Sequence, residues 1–265
     1  MAEAPSPFLW SRQCRMCTHD QEPFQCAEVI AGILVPPSAV PGGGAPCPTC
    51  GNPGAQSCGL CKQARQIAGA LPRRLDFVGY RTASFSKMKD RWKLPLEWRM
   101  DWPIVPLTNL FLRWWVEKGA ALGYDALVPI PWTGKPWKGP LQIVAAAVSR
   151  YRRHFPGVDL VGHAVIRRGK AQMKTLGWRE RFDAAKREYD TSAQISLVKG
   201  RSVLLVDDVH TTGASTCTVA RILLDHGARS VGAFAIAKNL HEENRVAHAD
   251  PSACAIFKQA MRARA

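Results

Sequence analysis

The stretch that most limits how this chain can fold is VLLVDDVHTTGAST, residues 203 to 216. Four apolar residues lead into two adjacent aspartates, and then into a threonine-rich loop around one glycine. An apolar run without polar alternation reads as a strand covered on both faces, which is the habit of parallel sheets. The strand is expected to end at Asp207 and Asp208, with TTGAST leading directly into a helix.

Signals on either side support that fold class. TNLFLRWWVEKGAALG carries Leu110, Phe111, Trp114 and Trp115 on one side of a helix, with Thr108 as its cap and Gly123 after its end. DALVPIP reads as a short buried strand, and GPLQIVAAAVSRYRRHF as a helix with Leu141, Val144, Ala145 and Val148 inward. VDLVGHAVI is strand-like and TLGWRERFDAAKREY helix-like. After the acidic stretch, STCTVARILLDHGA is a helix closed by Gly227, and SVGAFAIA is another strand. Alternating strands and helices predict an α/β protein, an open parallel sheet with helices on both faces.

In such a sheet, ligands bind at the carboxyl ends of the strands, where the acidic pair stands. Backbone N–H groups of a glycine-containing loop at a helix N-terminus cradle phosphate, and Thr and Ser hydroxyls add donors. Two carboxylates just upstream accept hydrogen bonds from vicinal hydroxyls. A phosphate beside a diol describes a ribose 5-phosphate. Three other readings fit less well. A response-regulator receiver carries a similar stretch near its start, with roughly 100 residues to follow, not at position 207 of 265. A Walker-B strand needs a G-x4-G-K-[ST] loop, which the sequence lacks. A buried strand with a solvated acidic turn explains neither the loop nor the helix that follows.

Seven of the nine cysteines fall before residue 62, in a segment rich in Pro and Gly that cannot build a core unaided. Cys14-x2-Cys17, Cys47-x2-Cys50 and Cys58-x2-Cys61, with Cys26 between, have the spacing of structural zinc sites. A tight C-x2-C turn aims two thiolates at one ion, so Cys47, Cys50, Cys58 and Cys61 make a complete set. Cys14, Cys17 and Cys26 leave a second site one ligand short, with His19 the nearest candidate to fill it. The spacing equally permits Cys14 and Cys17 to join Cys47 and Cys50. A redox pair is disfavoured because no C-x2-C is expected at a strand-to-helix turn. Four thiolates leave no position for water, so a structural role is expected. Cys217 and Cys254 read as ordinary buried thiols.

At 265 residues the chain has room for one main core and a small appendage. The expected division is a zinc-ribbon module at 1–65, a connector with a short hairpin or helix at 66–107, the α/β domain at 108–245, and a tail at 246–265. A composition 46% hydrophobic and 22% charged is that of a globular chain. With 36 basic against 21 acidic residues, a net charge of +15, the surface attracts polyanions, nucleic acid foremost. The start MAEAPSPFLW lacks the basic and apolar regions of a signal peptide, and no stretch is apolar enough to insert in a membrane. A cytoplasmic location is therefore expected, where clustered cysteines are metal ligands more often than disulfides.

The acidic stretch resembles the 5-phosphoribosyl 1-diphosphate (PRPP) binding motif of type I phosphoribosyltransferases, departing mainly at His210, where an aliphatic residue is usual. The resemblance implies that Asp207 and Asp208 contact the ribose hydroxyls. It assigns the 5-phosphate to Thr211, Thr212, Gly213, Ala214 and Ser215, with Thr216 opening the helix behind them. LVPIPW, residues 127 to 132, is similar to the family's first strand and pyrophosphate loop, with Lys135 and Lys138 as candidate diphosphate contacts. RRGKAQMKTLGWRER, residues 167 to 181, resembles the basic hood over the substrate, with Arg167, Arg168 and Gln172 as candidates. A leaving diphosphate needs its charge neutralised by Mg2+ and cations of this kind.

Together the N-terminal cysteine pairs, the VPIP strand, the element Arg167, Gln172 and Thr175, and the VDDVHTTGAS ending resemble the ComF family over nearly the whole chain. These are competence-associated, phosphoribosyltransferase-like proteins with a double zinc ribbon. Membership implies PRPP and Mg2+ binding, structural zinc, and a part in single-stranded DNA uptake beside uptake helicase or recombination proteins. Exposed aromatics on a basic surface suit single strands, with Trp92, Trp98, Trp102, Trp132 and Trp137 as candidates and Trp114 and Trp115 read as core. Some positions depart from the family pattern. TGKPWKGPLQ offers only Lys138, Gly139 and Gln142 where an arginine-containing element is usual, and Val29 stands where a ribbon cysteine is expected. Enzymes of this fold acting on 6-oxopurines carry an aspartate where Thr211 stands, so that base class is not indicated. Two further readings follow: an active salvage phosphoribosyltransferase acting on a free base, and a nucleic-acid-binding adaptor with a vestigial PRPP pocket.

Overall fold

The computed structural model describes residue 34 and residues 47–51, 58–80, 104–132, 139–169 and 176–239. Cys14, Cys17, His19, Cys26, Trp92, Trp98, Trp102, Lys135, Trp137, Lys138, Gln172, Thr175 and Cys254 lie outside the described residues.

Five strands form one parallel sheet in the order β1-β7-β6-β2-β3. They are β1 (Leu75–Tyr80), β2 (Ala126–Pro129), β3 (Asp159–Leu160), β6 (Ser202–His210) and β7 (Ser230–Lys238). Strands β4 (Val165–Arg167) and β5 (Tyr189–Thr191) pair antiparallel as a separate hairpin. The helices are α1 (Gly59–Ala68), α2 (Ile104–Trp114), α3 (Pro140–Arg150), α4 (Trp178–Glu188) and α5 (Ala214–Asp225).

Successive side chains of a strand point to opposite faces, and the core divides accordingly. Leu127, Leu204, Val206, Phe234 and Ile236 face Phe111, Trp114 and Trp115 of the α2 region and Ile143, Val144 and Ala147 of α3. Ala126, Val128, Val203, Leu205, Ala233 and Ala235 face Ala64 and Ala68 of α1, Phe182 of α4, and Val219, Ala220 and Leu223 of α5. This is the expected α/β architecture, a parallel sheet covered on both sides. Trp114 and Trp115 are core residues: Trp114 stacks on Phe234 at 4.3 Å between ring centroids, and Trp115 on Phe155 at 4.9 Å. On this face β7 presents Phe234 and Ile236 to the rings and keeps Gly232 small. At Gly232 an added Cβ would lie 2.0 Å from the Tyr124 hydroxyl.

Several expectations are corrected. Helix α2 begins at Ile104, so Thr108 is no cap; it is buried inside the helix and donates to the Ile143 carbonyl at 3.5 Å. In α3 the fully buried positions are Ile143, Val144, Ala147 and Val148, while Leu141 and Ala145 are half-buried. The stretch VDLVGHAVI is two strands in two different sheets, divided by a turn at 162–164. Strand β6 continues beyond the acidic pair to His210, held by pairing of Val209 and His210 with Ala237 and Lys238. Within the stretch expected to be a connector, β1 is no hairpin arm. It pairs in parallel with β7 as the edge of the main sheet.

Candidate functional site

The carboxyl end of β6 brings the acidic pair and the loop to α5 together. Asp208 is buried and Asp207 half-buried. The Asp208 amide donates to Oδ1 of Asp207 at 2.8 Å, and the Val209 amide donates to Oδ1 of Asp208 at 2.7 Å. Each carboxylate is thus oriented by the backbone of the next residue. Gly213 precedes the first turn of α5 with φ +86°, a left-handed conformation that glycine adopts without steric cost. The Ala214 amide reaches Oγ1 of Thr212 at 3.4 Å. The loop therefore places Thr211, Thr212 and Gly213 at the N-terminus of a twelve-residue helix, where amides and dipole favour an anion.

Neighbouring elements fasten this loop from three sides. Lys238, at the end of β7, donates through Nζ to the Thr211 carbonyl at 2.7 Å. The Asn239 amide donates to the His210 carbonyl at 2.8 Å. Nδ1 of His210 lies 3.1 Å from Oγ1 of Thr216, and burial, reinforced by Lys238, pushes the imidazole well below its ordinary range. The ring is therefore neutral at neutral pH. On the opposite side, the Tyr189 hydroxyl of β5 hydrogen-bonds the side chain of Ser215 and lies within electrostatic reach of Asp207. Burial raises that phenol to about 12, so it stays protonated.

The two basic hood candidates among the described residues are both engaged. Arg167 donates through Nε to Oε2 of Glu188 at 2.6 Å, and its Nη2 lies 2.5 Å from the same oxygen, in a pair that is nearly buried. Arg168 pairs with Asp190 at 2.6 Å on the surface. Just after β2, Trp132 packs partly against the core, and an added Cβ at Gly139 would lie 2.6 Å from its ring. Trp132 therefore has a packing role, against the core and against Gly139.

Cys47, Cys50, Cys58 and Cys61 converge, with all four sulfurs within 4.8 Å of one another. The Cys47–Cys61 and Cys50–Cys58 sulfurs are 3.7 and 3.5 Å apart. Four thiolates at about 2.3 Å from one tetrahedral zinc ion stand roughly 3.8 Å apart, so the cage fits such an ion. Cys58 is the N-cap of α1 and Cys61 lies in its first turn, so this C-x2-C opens a helix. The other two cysteines complete a four-sulfur set. Hydrogen bonds from Cys47, Cys50 and Cys61 pull the Cys58 thiol well below its usual range, while the Cys50 thiol lowers Cys47 to about 6. The same network pushes the Cys50 and Cys61 thiols well above their usual range, so a bound metal ion must displace their protons. Cys217 is a buried thiol, as expected, and burial raises it to about 12.

The cysteine cage is held against the sheet. The Tyr80 hydroxyl donates to the Gly51 carbonyl at 2.9 Å, and the Leu75 amide to the Pro48 carbonyl at 2.7 Å. Cys50 and Cys61 line one cleft together with Thr211, Thr212 and Gly213. Sequence reasoning missed Tyr80, Tyr189 and Lys238. Lys238 directly follows the apolar run of β7, but only its pairing with His210 places it under the 211–213 loop.

Residues 125–256 match the phosphoribosyl transferase domain. The orotate phosphoribosyltransferase of Pyrococcus horikoshii is 47% identical over 53 residues, which cover 19% of this chain and 28% of that protein. The chain thus matches less than a third of that relative's length. A parallel sheet with an acidic pair ahead of a glycine-opened helix, together with these matches, supports a phosphoribosyltransferase-like domain over residues 125–256.

Proposed function

We propose that the protein binds PRPP with Mg2+ at the carboxyl end of β6. The observation that carries this reading is the juxtaposition of Asp207 and Asp208 with the Thr211–Gly213 loop at the N-terminus of α5. In this reading Asp207 and Asp208 accept from the ribose hydroxyls, while the 211–215 loop donates backbone and hydroxyl hydrogens to the 5-phosphate. Mg2+, when bound, neutralises the diphosphate charge. Lys135, Lys138, Arg168 and Gln172 are the candidates to approach that diphosphate; Arg167 acts through its pair with Glu188.

The four-sulfur cage is read as a structural zinc centre, and Cys14, Cys17 and Cys26 as ligands of a second. The ComF resemblance extends the proposal to cytoplasmic assistance of single-stranded DNA uptake, alongside helicase or recombination partners. The orotate enzyme match favours a second reading, a transferase that joins a free base to PRPP and releases diphosphate.

Calorimetric titration of PRPP with Mg2+ into the purified protein tests the first reading. Wild type is expected to bind, and Asp207→Asn/Asp208→Asn to lose at least about tenfold in affinity, equivalent to about 1.4 kcal/mol. No heat with wild type, or an unchanged affinity in the double variant, removes the PRPP assignment. Diphosphate release in a screen of free bases would favour the transferase.

A further inference from the structure

Lys238 ends β7 at 1% exposure, and its ammonium donates to the Thr211 and Asn239 carbonyls at 2.7 and 3.1 Å. Among the described residues no carboxylate forms an ion pair with it. A buried cation with only carbonyl partners is unfavourable unless an anion lies nearby. The cysteine cage supplies that anion. Cys50 and Cys61 share a cleft with Thr211, Thr212, Gly213 and Lys238. Burial acts against the charge on Lys238, and Cys50, Cys58, Cys61 and Cys47 all act in its favour.

Four thiolates around one divalent ion carry excess negative charge. A buried ammonium beside them offsets that charge. The same ammonium holds the carbonyl of the first loop threonine.

We propose that Lys238 is a positioning residue that couples the two sites, serving as counter-cation to the metal-loaded cysteine centre and as clamp on the Thr211 carbonyl, so that metal loading tightens the phosphate loop. The proposal rests on the zinc and PRPP readings given above. Without the ion nothing holds the four sulfurs together as one centre beside the cleft that Cys50, Cys61 and Lys238 line. Lys238 then has no reason to remain buried in its present position, and the 211–213 loop loses its tie to β7. Coupling between two sites is reciprocal: zinc must raise PRPP affinity by the same factor by which PRPP raises zinc affinity.

The experiment has two arms on the full chain. Zinc competition against a chromogenic chelator compares wild type, Lys238→Met, Lys238→Arg and the exposed control Lys199→Met. About a tenfold loss of zinc affinity is expected for Lys238→Met, with part recovered by Lys238→Arg and none lost in the control. Zinc affinity within twofold of wild type in Lys238→Met overturns the proposal. The second arm repeats the wild-type competition at saturating PRPP and needs no variant to fold. Tighter zinc retention supports the coupling, and unchanged retention in protein that binds PRPP overturns it. If wild type binds no PRPP, the PRPP reading fails separately, and amide exchange of residues 211–215 with and without zinc decides the coupling. Equal protection in the two states then overturns it.

Discussion

His210 occupies a position that the motif ordinarily gives to an aliphatic residue, and its surroundings explain how a histidine is tolerated. It is 3% exposed, beside the Thr216 hydroxyl and near the buried Lys238 charge, so the neutral ring is strongly preferred. A histidine held neutral in the fold but free to protonate when unfolded links stability to pH. The unfolded side chain titrates near 6.5 and the folded one well below that. Below 6.5 the unfolded chain binds a proton that the native chain refuses, so stability falls as pH falls. A single proton gives a slope of at most about 1.4 kcal/mol per pH unit, or about 2 kcal/mol between pH 7 and pH 5. Urea denaturation of wild type and His210→Gln at both pH values isolates this contribution from that of other groups. The variant is expected to lose about 2 kcal/mol less than wild type over that range. Equal losses would mean that His210 protonates without disturbing the fold.

At the scale of elements, the β4–β5 hairpin is the piece that sheet pairing does not hold. It is anchored instead by the Arg167–Glu188 pair, by the Tyr189 hydroxyl on Ser215, and by close approach of Gly169, where an added Cβ would lie 2.5 Å from Cγ of Glu188. With side-chain exposures of 11% and 7%, the pair is screened little by water. Removing one partner strands a buried charge, and Glu188→Ala is expected to cost about 3 kcal/mol. The paired replacement Arg167→Met/Glu188→Leu is expected to cost far less, because no charge is left behind. A double-mutant cycle on urea midpoints measures the difference, and additive single-variant costs would show that the two side chains act independently. This hairpin was also the least legible part of the chain. Val161, Val165 and Ile166 are the same residue types whether they serve the main sheet or the hairpin, and only the turn between β3 and β4 separates them. The phase of α3 was obscured for a related reason. IVAAAV is apolar all round, so the sheet face, not the periodicity, selects Ile143 and Ala147. By contrast β6 and the four-cysteine cage are legible, because a buried run and ligand spacing each leave local signs, while α5 opens at Ala214 rather than at the expected Thr216 because Gly213 supplies the left-handed turn. Lys238 left none: a lysine after a strand looks like a solvated end until the register sets it opposite His210.

At the scale of the whole molecule, the net charge of +15 bears on the proposed DNA partner. Much of the described basic surface is committed locally: Arg74 pairs with Asp76, Arg201 with Asp159, Arg221 with Asp225 and Arg229 with Asp125. Such exposed pairs add little to stability, and they also reduce the cationic charge available to a polyanion. Nucleic acid binding driven by the remaining basic residues releases counterions in proportion to the phosphates contacted, about 0.7 per phosphate on a single strand. Binding of a fluorescent oligodeoxythymidine should therefore weaken steadily as salt rises from 50 to 200 mM, with a log–log slope that gives the number of contacts. Six phosphates would produce a slope near −4 and a loss of roughly 300-fold over that interval. A second sign separates specific use of single strands from general attraction. Aromatic stacking adds about 1 to 3 kcal/mol per base and does not depend on salt, so a single strand should retain an advantage over duplex of equal length at the higher salt. Affinity that is flat across the salt range would leave the +15 charge with no part in DNA handling and favour a nucleotide-directed role for the β6 site alone, whereas equal affinity for single strand and duplex would reduce the binding to general attraction.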